Sequence, residues 1–196
     1  MPHIYVMISQ TGTSGSEFFK LITRKPYNHS SIAFDRELRE MYSFGRRLLY
    51  FQFVAGLVRE NPDTFVYKRF TKTICKIYEV PCTDAQYAKL RRMMDEEYLP
   101  EFQRYKYDFF GLPFRCLGIK YERKYRYVCS HFVAKVIQRA GIHIFSKDPF
   151  FIYPYHLEEI TGAKCIYEGL LTGYRRGHFA DSLPIVTDQA GDAVTA

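Results

Sequence analysis

The sequence predicts an α+β fold in which an antiparallel, partly barrel-like sheet packs on one apolar-faced helix. Three observations predict it. Five segments carry the β-branched and aromatic residues that favour strands, and two of them are separated only by the charged turn Asp35-Arg36-Glu37-Leu38-Arg39. Between Cys129 and Ala140, residues Phe132, Val133, Val136 and Ile137 fall at i, i+1, i+4 and i+5, the apolar face of a helix that must be buried. The chain has 196 residues, 47% apolar and 25% charged, which is one ordinary globular domain. A chain of that size buries about 70% of the surface its unfolded form exposes and needs no disulfide staples.

The elements follow in order. His3 to Ser9 reads as a strand, with Ile4, Tyr5, Val6 and Ile8 favouring extended backbone. Gln10 to Ser16 reads as a loop. Its Thr11-Gly12-Thr13-Ser14-Gly15 run lacks the lysine and the spacing of a phosphate-binding P-loop. Ser16 caps a short helix through Arg24 that Pro26 ends. His29 to Phe34 and Glu40 to Gly45 form two strands about the charged turn. Lys72 to Pro81 is a further strand. Thr83-Asp84-Ala85-Gln86 is a capping box, and the helix it opens runs to about Tyr98 with Tyr87, Leu90, Met94 and Tyr98 on one side. Tyr107 to Leu117 reads as a short helix broken by Pro113, with Asp108 as a capping acid. Gly141 ends the Cys129 helix, and Ala163 to Tyr167 is a late strand. Residues 1–178 make the single domain. After Gly177 the chain has no Lys or Arg, and 179–196 is expected to be a loosely ordered tail.

Charge and cysteine usage exclude several classes. Net charge is +7, and Lys120, Arg123, Lys124 and Arg126 alternate with Tyr121, Tyr125 and Tyr127. That pattern suits weak contact with anionic surfaces, but no nucleic-acid motif accompanies it, so no specific nucleic acid is expected. Five cysteines, an odd number with no Cys-x-x-Cys pair, argue against a disulfide framework and a structural zinc. His143, His156 and His178 lack ligand spacing, so no metal and no cofactor is expected. The N-terminus lacks a basic start and a long apolar run, and Leu48 to Val58 is too short to span a bilayer. The expectation is a cytoplasmic chain that is not an integral membrane protein.

Cys129 opens the apolar-faced helix. Unpaired amides and the positive end of the dipole there favour a thiolate and can hold an oxyanion. A buried structural cysteine is the alternative reading. His29, at a strand start, can face a groove beside that helix and serve as base if a third group orients its other ring nitrogen. Counting back across the turn puts Tyr42, Ser43 or Phe44 opposite His29. Ser43 and Tyr42 both carry a hydroxyl that can accept from an imidazole N–H. Asp35 and Glu40 lie at or beside the turn. His131, two residues along the helix from Cys129, is turned by about 200° and faces away.

Three segments in this order carry a resemblance: Tyr27-Asn28-His29-Ser30-Ser31-Ile32-Ala33-Phe34, Met41-Tyr42-Ser43-Phe44-Gly45, and Tyr127-Val128-Cys129-Ser130-His131-Phe132-Val133-Ala134. The set resembles the circularly permuted, papain-like NlpC-type cysteine peptidase and amidase superfamily, in its YiiX-like and lecithin:retinol acyltransferase-like branch. The resemblance implies the permuted papain-like fold, with Cys129 as nucleophile, His29 as base and Ser43, or Tyr42, as the third residue. Members often have His, Glu or another strongly polar group at that third position, and this sequence departs from them there. Tyr127 matches a tyrosine that some members place near the nucleophile to assist the oxyanion. The expected function is a thiol hydrolase, peptidase or amidase, working through an acyl-enzyme on a peptide, amide or acyl-ester substrate. Lipid acyl transfer or thioester hydrolysis on the same scaffold is the alternative. A non-catalytic binding module using the basic, Tyr-rich stretch is the rival from another class.

Overall fold

Both sides of the first strand are apolar, and both sides are covered. A computed structural model of the chain describes residues 1–11, 26–48, 51, 53–63 and 65–179. The loop and helix expected between residues 12 and 24, and the tail from 180, lie outside the described residues.

Among the described residues, eight strands form one sheet: β1 His3–Gln10, β2 His29–Ala33, β3 Met41–Arg46, β4 Ala55–Glu60, β5 Ile74–Pro81, β6 Lys106–Tyr107, β7 Arg126–Tyr127 and β8 Lys164–Leu170. Their order across the sheet is β7-β6-β4-β3-β2-β1-β5-β8. Every neighbouring pair is antiparallel except β6 and β7, which run parallel. The sheet is open, with β7 and β8 as its edges, rather than closing towards a barrel. The architecture is therefore α+β, and mostly antiparallel.

The helices are α1 Phe65–Arg69, α2 Asp84–Arg92, α3 Gly111–Cys116, α4 Cys129–Arg139 and α5 Leu171–Phe179, with 3₁₀ turns at Pro149–Phe151 and Pro154–Glu159. Alternation along the strands sorts the core into two clusters. Ile4, Val6, Ile8, Ile32, Tyr42, Phe44 and Leu57 meet α2 and α4 on one side. Tyr5, Met7, Ala33, Met41 and Ile77 meet Tyr67 of α1 and Leu171 and Tyr174 of α5 on the other.

α2 begins as its capping box dictates. The Gln86 amide donates to the Thr83 hydroxyl at 3.2 Å, and the Thr83 amide donates to the Gln86 side chain at 2.9 Å. Its last turn widens into a π turn over Met93–Tyr98, which carries Tyr98 into an aromatic cluster with Tyr105, Tyr127 and Phe132. Pro113 does not break α3. It lies in the first turn, where a missing N–H costs nothing. α4 ends at Gly141, whose φ of 87° is the left-handed conformation that glycine adopts without strain.

β4 was not evident in the sequence, although the rest of the site depends on it. It pairs with β3 from Met41↔Glu60 to Arg46↔Ala55. Gly56 is required there, since a Cβ would collide with the Tyr105 carbonyl that approaches from beside β6. Arg47 fastens the same corner, donating to the Tyr105, Phe102 and Leu57 carbonyls.

α4 is buried along almost its whole length and lies across β2 and β3, with the Phe132 ring 5.1 Å from that of Phe44. Phe132→Ala removes the ring that seats the helix. It is expected to cost about 3–5 kcal/mol of stability, read as a lowered urea midpoint at unchanged m-value.

Candidate active site

α4 starts where β2 starts. Val128 supplies no side-chain cap, so the first-turn amides of α4, that of Cys129 included, have no partner within the helix. Cys129 itself is only 4% exposed, and its thiol lies 4.0 Å from the Asn28 carbonyl, one residue before His29. The His29 ring and the Cys129 thiol interact electrostatically, each shifting the other's titration. Nε2 of the ring is held elsewhere, at 2.8 Å from Glu60 Oε1. That leaves Nδ1 as the ring nitrogen available to the thiol.

Glu60 is the group that orients the imidazole. It closes β4, two strands from His29, and its carboxylate reaches across β3 above Gly45. A Cβ on Gly45 would lie 3.5 Å from His29 Cε1 and 3.6 Å from Glu60 Oε1, so the ring and the carboxylate meet over the one β3 residue with no side chain. The second carboxylate oxygen accepts from Ser31 Oγ at 2.5 Å and from Tyr67 Oη at 3.3 Å. All of Glu60's hydrogen bonds thus serve to hold one orientation.

Electrostatics follow from that geometry. For His29, burial pushes the imidazole down, but the Glu60 charge and the hydrogen bonds with Cys129 and Glu60 outweigh it and hold it up at about 10. For Cys129, burial pushes the thiol up. The hydrogen bond and charge of His29, with help from Ser30, pull it below its ordinary value. The favoured state between those two titrations is thiolate beside imidazolium, the activated form of a nucleophilic cysteine.

The structure brings Cys129 and His29 together as expected. It does not bring Ser43 or Tyr42 to His29. The Ser43 hydroxyl donates to the Ser30 carbonyl at 2.5 Å, and the Tyr42 hydroxyl donates to Glu40 at 2.9 Å. The reason is register. Ile32 pairs with Tyr42 and Ala33 with Met41, so the same ladder carried to His29 reaches Gly45, two residues beyond Ser43. Asp35 is a turn residue, as its position implied: its carboxylate accepts from the amides of Arg39 and Glu40.

Tyr127 is also displaced from its expected role. Its ring packs 5.3 Å from Phe44 and 4.8 Å from His131, inside the aromatic cluster and away from the thiol. Its ladder partner Tyr107 is the phenol whose titration responds to the Cys129 sulfur. Burial and the neighbouring sulfur push that phenol well up, so it stays protonated and able to donate. His131 is buried as well, and its Nε2 lies 3.4 Å from Glu122 Oε1. Tyr107 lies in a two-residue strand, too short to declare itself by alternation. Glu60 did carry a signal, as an acid closing an apolar run just before Asn61-Pro62.

No family model matches the sequence, and no curated protein matches it either. Among the described residues no helix is long and apolar enough to cross a membrane.

Much of the basic stretch is neutralised internally. Arg123 pairs with Asp108, and Lys120 lies 2.6 Å from Asp148. Asp108 also accepts from the Gly111 amide at 3.1 Å, so it is the capping acid that the sequence suggested. Association with anionic vesicles is accordingly expected to be weak and lost as salt rises, a trend that co-sedimentation across a salt series would read.

The five thiols divide clearly. Cys75 is pushed up to about 12 by burial and Cys82 is pushed up as well. Iodoacetamide mapping by mass spectrometry should show Cys129 alkylated at a pH where Cys75 and Cys82 are inert. His29→Ala should move Cys129 labelling to higher pH, because the imidazolium that stabilises the thiolate is gone.

Proposed function

We propose that the chain is a thiol hydrolase of the permuted papain-like, NlpC-type kind, acting on an amide or ester carbonyl. The observation that carries this is the arrangement at the α4 N-terminus: His29 bonded to Glu60 at 2.8 Å, with Cys129 and His29 each shifting the other's titration. The resemblance supports the same reading. A glutamate, one of the groups expected at the third position, reaches His29 from the strand after the one that carries Ser43.

In this mechanism the Cys129 thiolate attacks the carbonyl carbon and forms the C–S bond. The oxyanion is met by the Cys129 amide and by the protonated Tyr107 phenol. Collapse breaks the bond to the leaving amine or alcohol, which takes the proton from His29 Nδ1. The neutral imidazole then draws a proton from water, which attacks the thioester. The acid leaves, and the proton now on His29 restores the imidazolium–thiolate pair. Glu60 keeps the ring aligned and its cation favourable throughout, and does not itself need to take a proton.

A specific observation favours an acyl ester of a lipid as the second reading. Phe110, Phe114, Leu117, Ile119 and Tyr121 are all exposed. The Phe114 and Tyr121 rings lie 4.8 Å apart, and the Arg123 guanidinium lies 5.6 Å from both the Phe110 and Tyr121 rings. An apolar patch with basic residues beside it is what a side chain set against a lipid surface presents.

Single-turnover acylation by a chromogenic ester tests the proposal, with a thermal melt for each variant. Cys129→Ala is expected to be inactive and His29→Ala reduced by about 10²- to 10⁴-fold. Glu60→Gln removes a charged hydrogen bond worth roughly 1.5–3 kcal/mol, about 10- to 150-fold in rate. Ser43→Ala should acylate at close to the wild-type rate. Wild-type acylation by Cys129→Ala would show that this thiol is not the nucleophile.

The pH profile gives an independent check. The productive ion pair exists above the Cys129 titration and below that of His29, so the plateau ends on the alkaline side near pH 10. His29 is raised on folding, so its contribution to stability is complete below its ordinary value of 6.5 and is lost as pH climbs through about 10. Glu60→Gln takes away the charge that raises His29, and the alkaline limb should move down. An alkaline limb unchanged in Glu60→Gln would mean that Glu60 does not set the His29 titration.

A further inference from the structure

A buried arginine with no carboxylate partner among the described residues stands at the start of the Cys129 helix. Arg115, in α3, is 4% exposed. Its Nη2 donates to the Ile152 carbonyl at 2.8 Å, and the same carbonyl accepts the Ser130 hydroxyl at 2.5 Å. That shared acceptor places the guanidinium at the first turn of α4, one residue from Cys129. Its Cζ lies 5.0 Å from the centre of the Tyr153 ring and 5.2 Å from that of Phe150.

Nε and Nη1 of Arg115 are buried and have no hydrogen-bond partner among the described residues. No carboxylate among the described residues pairs with the group, and the polar side chains nearest its charge are Tyr153, Cys129 and Tyr107. A guanidinium remains charged throughout the pH range in which proteins fold. A buried cation with unpaired N–H groups is costly and uncommon, and it asks for an explanation. The resident thiolate does not supply one. His29 and Ser30 are the groups that favour it, and His29 already balances its charge.

We infer that Arg115 is the anion-binding end of the substrate site, so that the acyl donor attacked by Cys129 carries a carboxylate or phosphate group close to the scissile bond. The unpaired N–H groups supply the hydrogen bonds, and burial in low dielectric strengthens them. Asp108, just before α3, is already engaged by the Gly111 amide and by Arg123. The inference rests on the hydrolase reading and narrows its substrate.

The test compares 4-nitrophenyl butyrate with 4-nitrophenyl hemiglutarate, which carry the same leaving group and differ by one carboxylate. The wild type should favour the hemiglutarate by about tenfold or more in kcat/KM. In Arg115→Gln that ratio should fall to about one, and Arg115→Lys should retain part of it, which also guards against a glutamine variant that fails to fold. Glutarate and inorganic phosphate, tried separately as competitive inhibitors and as stabilisers in a thermal melt, distinguish a carboxylate from a phosphate as the better-held group. Equal wild-type rates on both esters, with no inhibition by either anion, would overturn the inference and leave the hydrolase reading intact. If neither ester is turned over, the hydrolase reading fails, and the melts alone then decide. A rise in Tm with either anion in the wild type that is absent in Arg115→Gln or diminished in Arg115→Lys upholds the anion site. No rise in the wild type overturns it.

Discussion

The hydrogen bond between Glu60 and His29 is the interaction on which the site depends. Burial works against an imidazolium and against a thiolate alike, and two neutral groups would be the default in so enclosed a place. Glu60 reverses that preference for the ring, and the ring then reverses it for the thiol. The carboxylate can do so because its own position is fixed twice over, by the Ser31 and Tyr67 hydroxyls on its second oxygen. It comes from β4, and Gly45 of β3 leaves the space in which the carboxylate and the ring meet.

The two sides of the sheet divide the work. Tyr67 belongs to the core beneath α1 and α5, whereas Cys129 rides on α4 above the other face. The site forms at the end of β2, where those two cores approach one another. The aromatic cluster of Phe44, Tyr98, Tyr105, Tyr127 and Phe132 fixes α4 on its side. Tilted and edge-on ring pairs add to the burial of apolar area, which suits a helix whose first residue must stay within reach of an imidazole. The abundance of Tyr and Phe in the sequence, which by itself did not distinguish a packed core from a lined groove, is in large part this packing.

What the sequence made legible is what local chemistry controls. The β1 and β5 patterns, the Thr83 capping box, the α4 stripe and its Gly141 stop all depend on neighbours in the chain, and each was read within a residue or two. Cys129 and His29 were legible because each sits at the start of an element. The third residue was not, because a strand register is a long-range quantity. A difference of two residues in the β2–β3 alignment separates Ser43 from Gly45, and the acid that fills the space belongs to a strand whose glycine and charged residues hide its alternation. Tyr107 was hidden for a related reason, since β6 and β7 are each two residues long and hold their place through neighbours rather than propensity.

A glycine thereby becomes the most informative residue of its strand. Opposite a catalytic histidine one looks for a group that can bond to it, and that search passes over Gly45. Yet a side chain larger than a methyl group there would stand between His29 and Glu60, whose atoms lie within ordinary contact of the Cβ position already. The same logic holds at Gly56, where the absent side chain admits the Tyr105 carbonyl and with it the chain that leads into Tyr107. These two glycines are paired across β3 and β4. One leaves space for His29 and Glu60, and the other for the Tyr105 carbonyl and the strand that carries Tyr107. Bulky side chains at these two positions would disrupt the arrangement of Cys129, His29 and Glu60 even with all three residues still present.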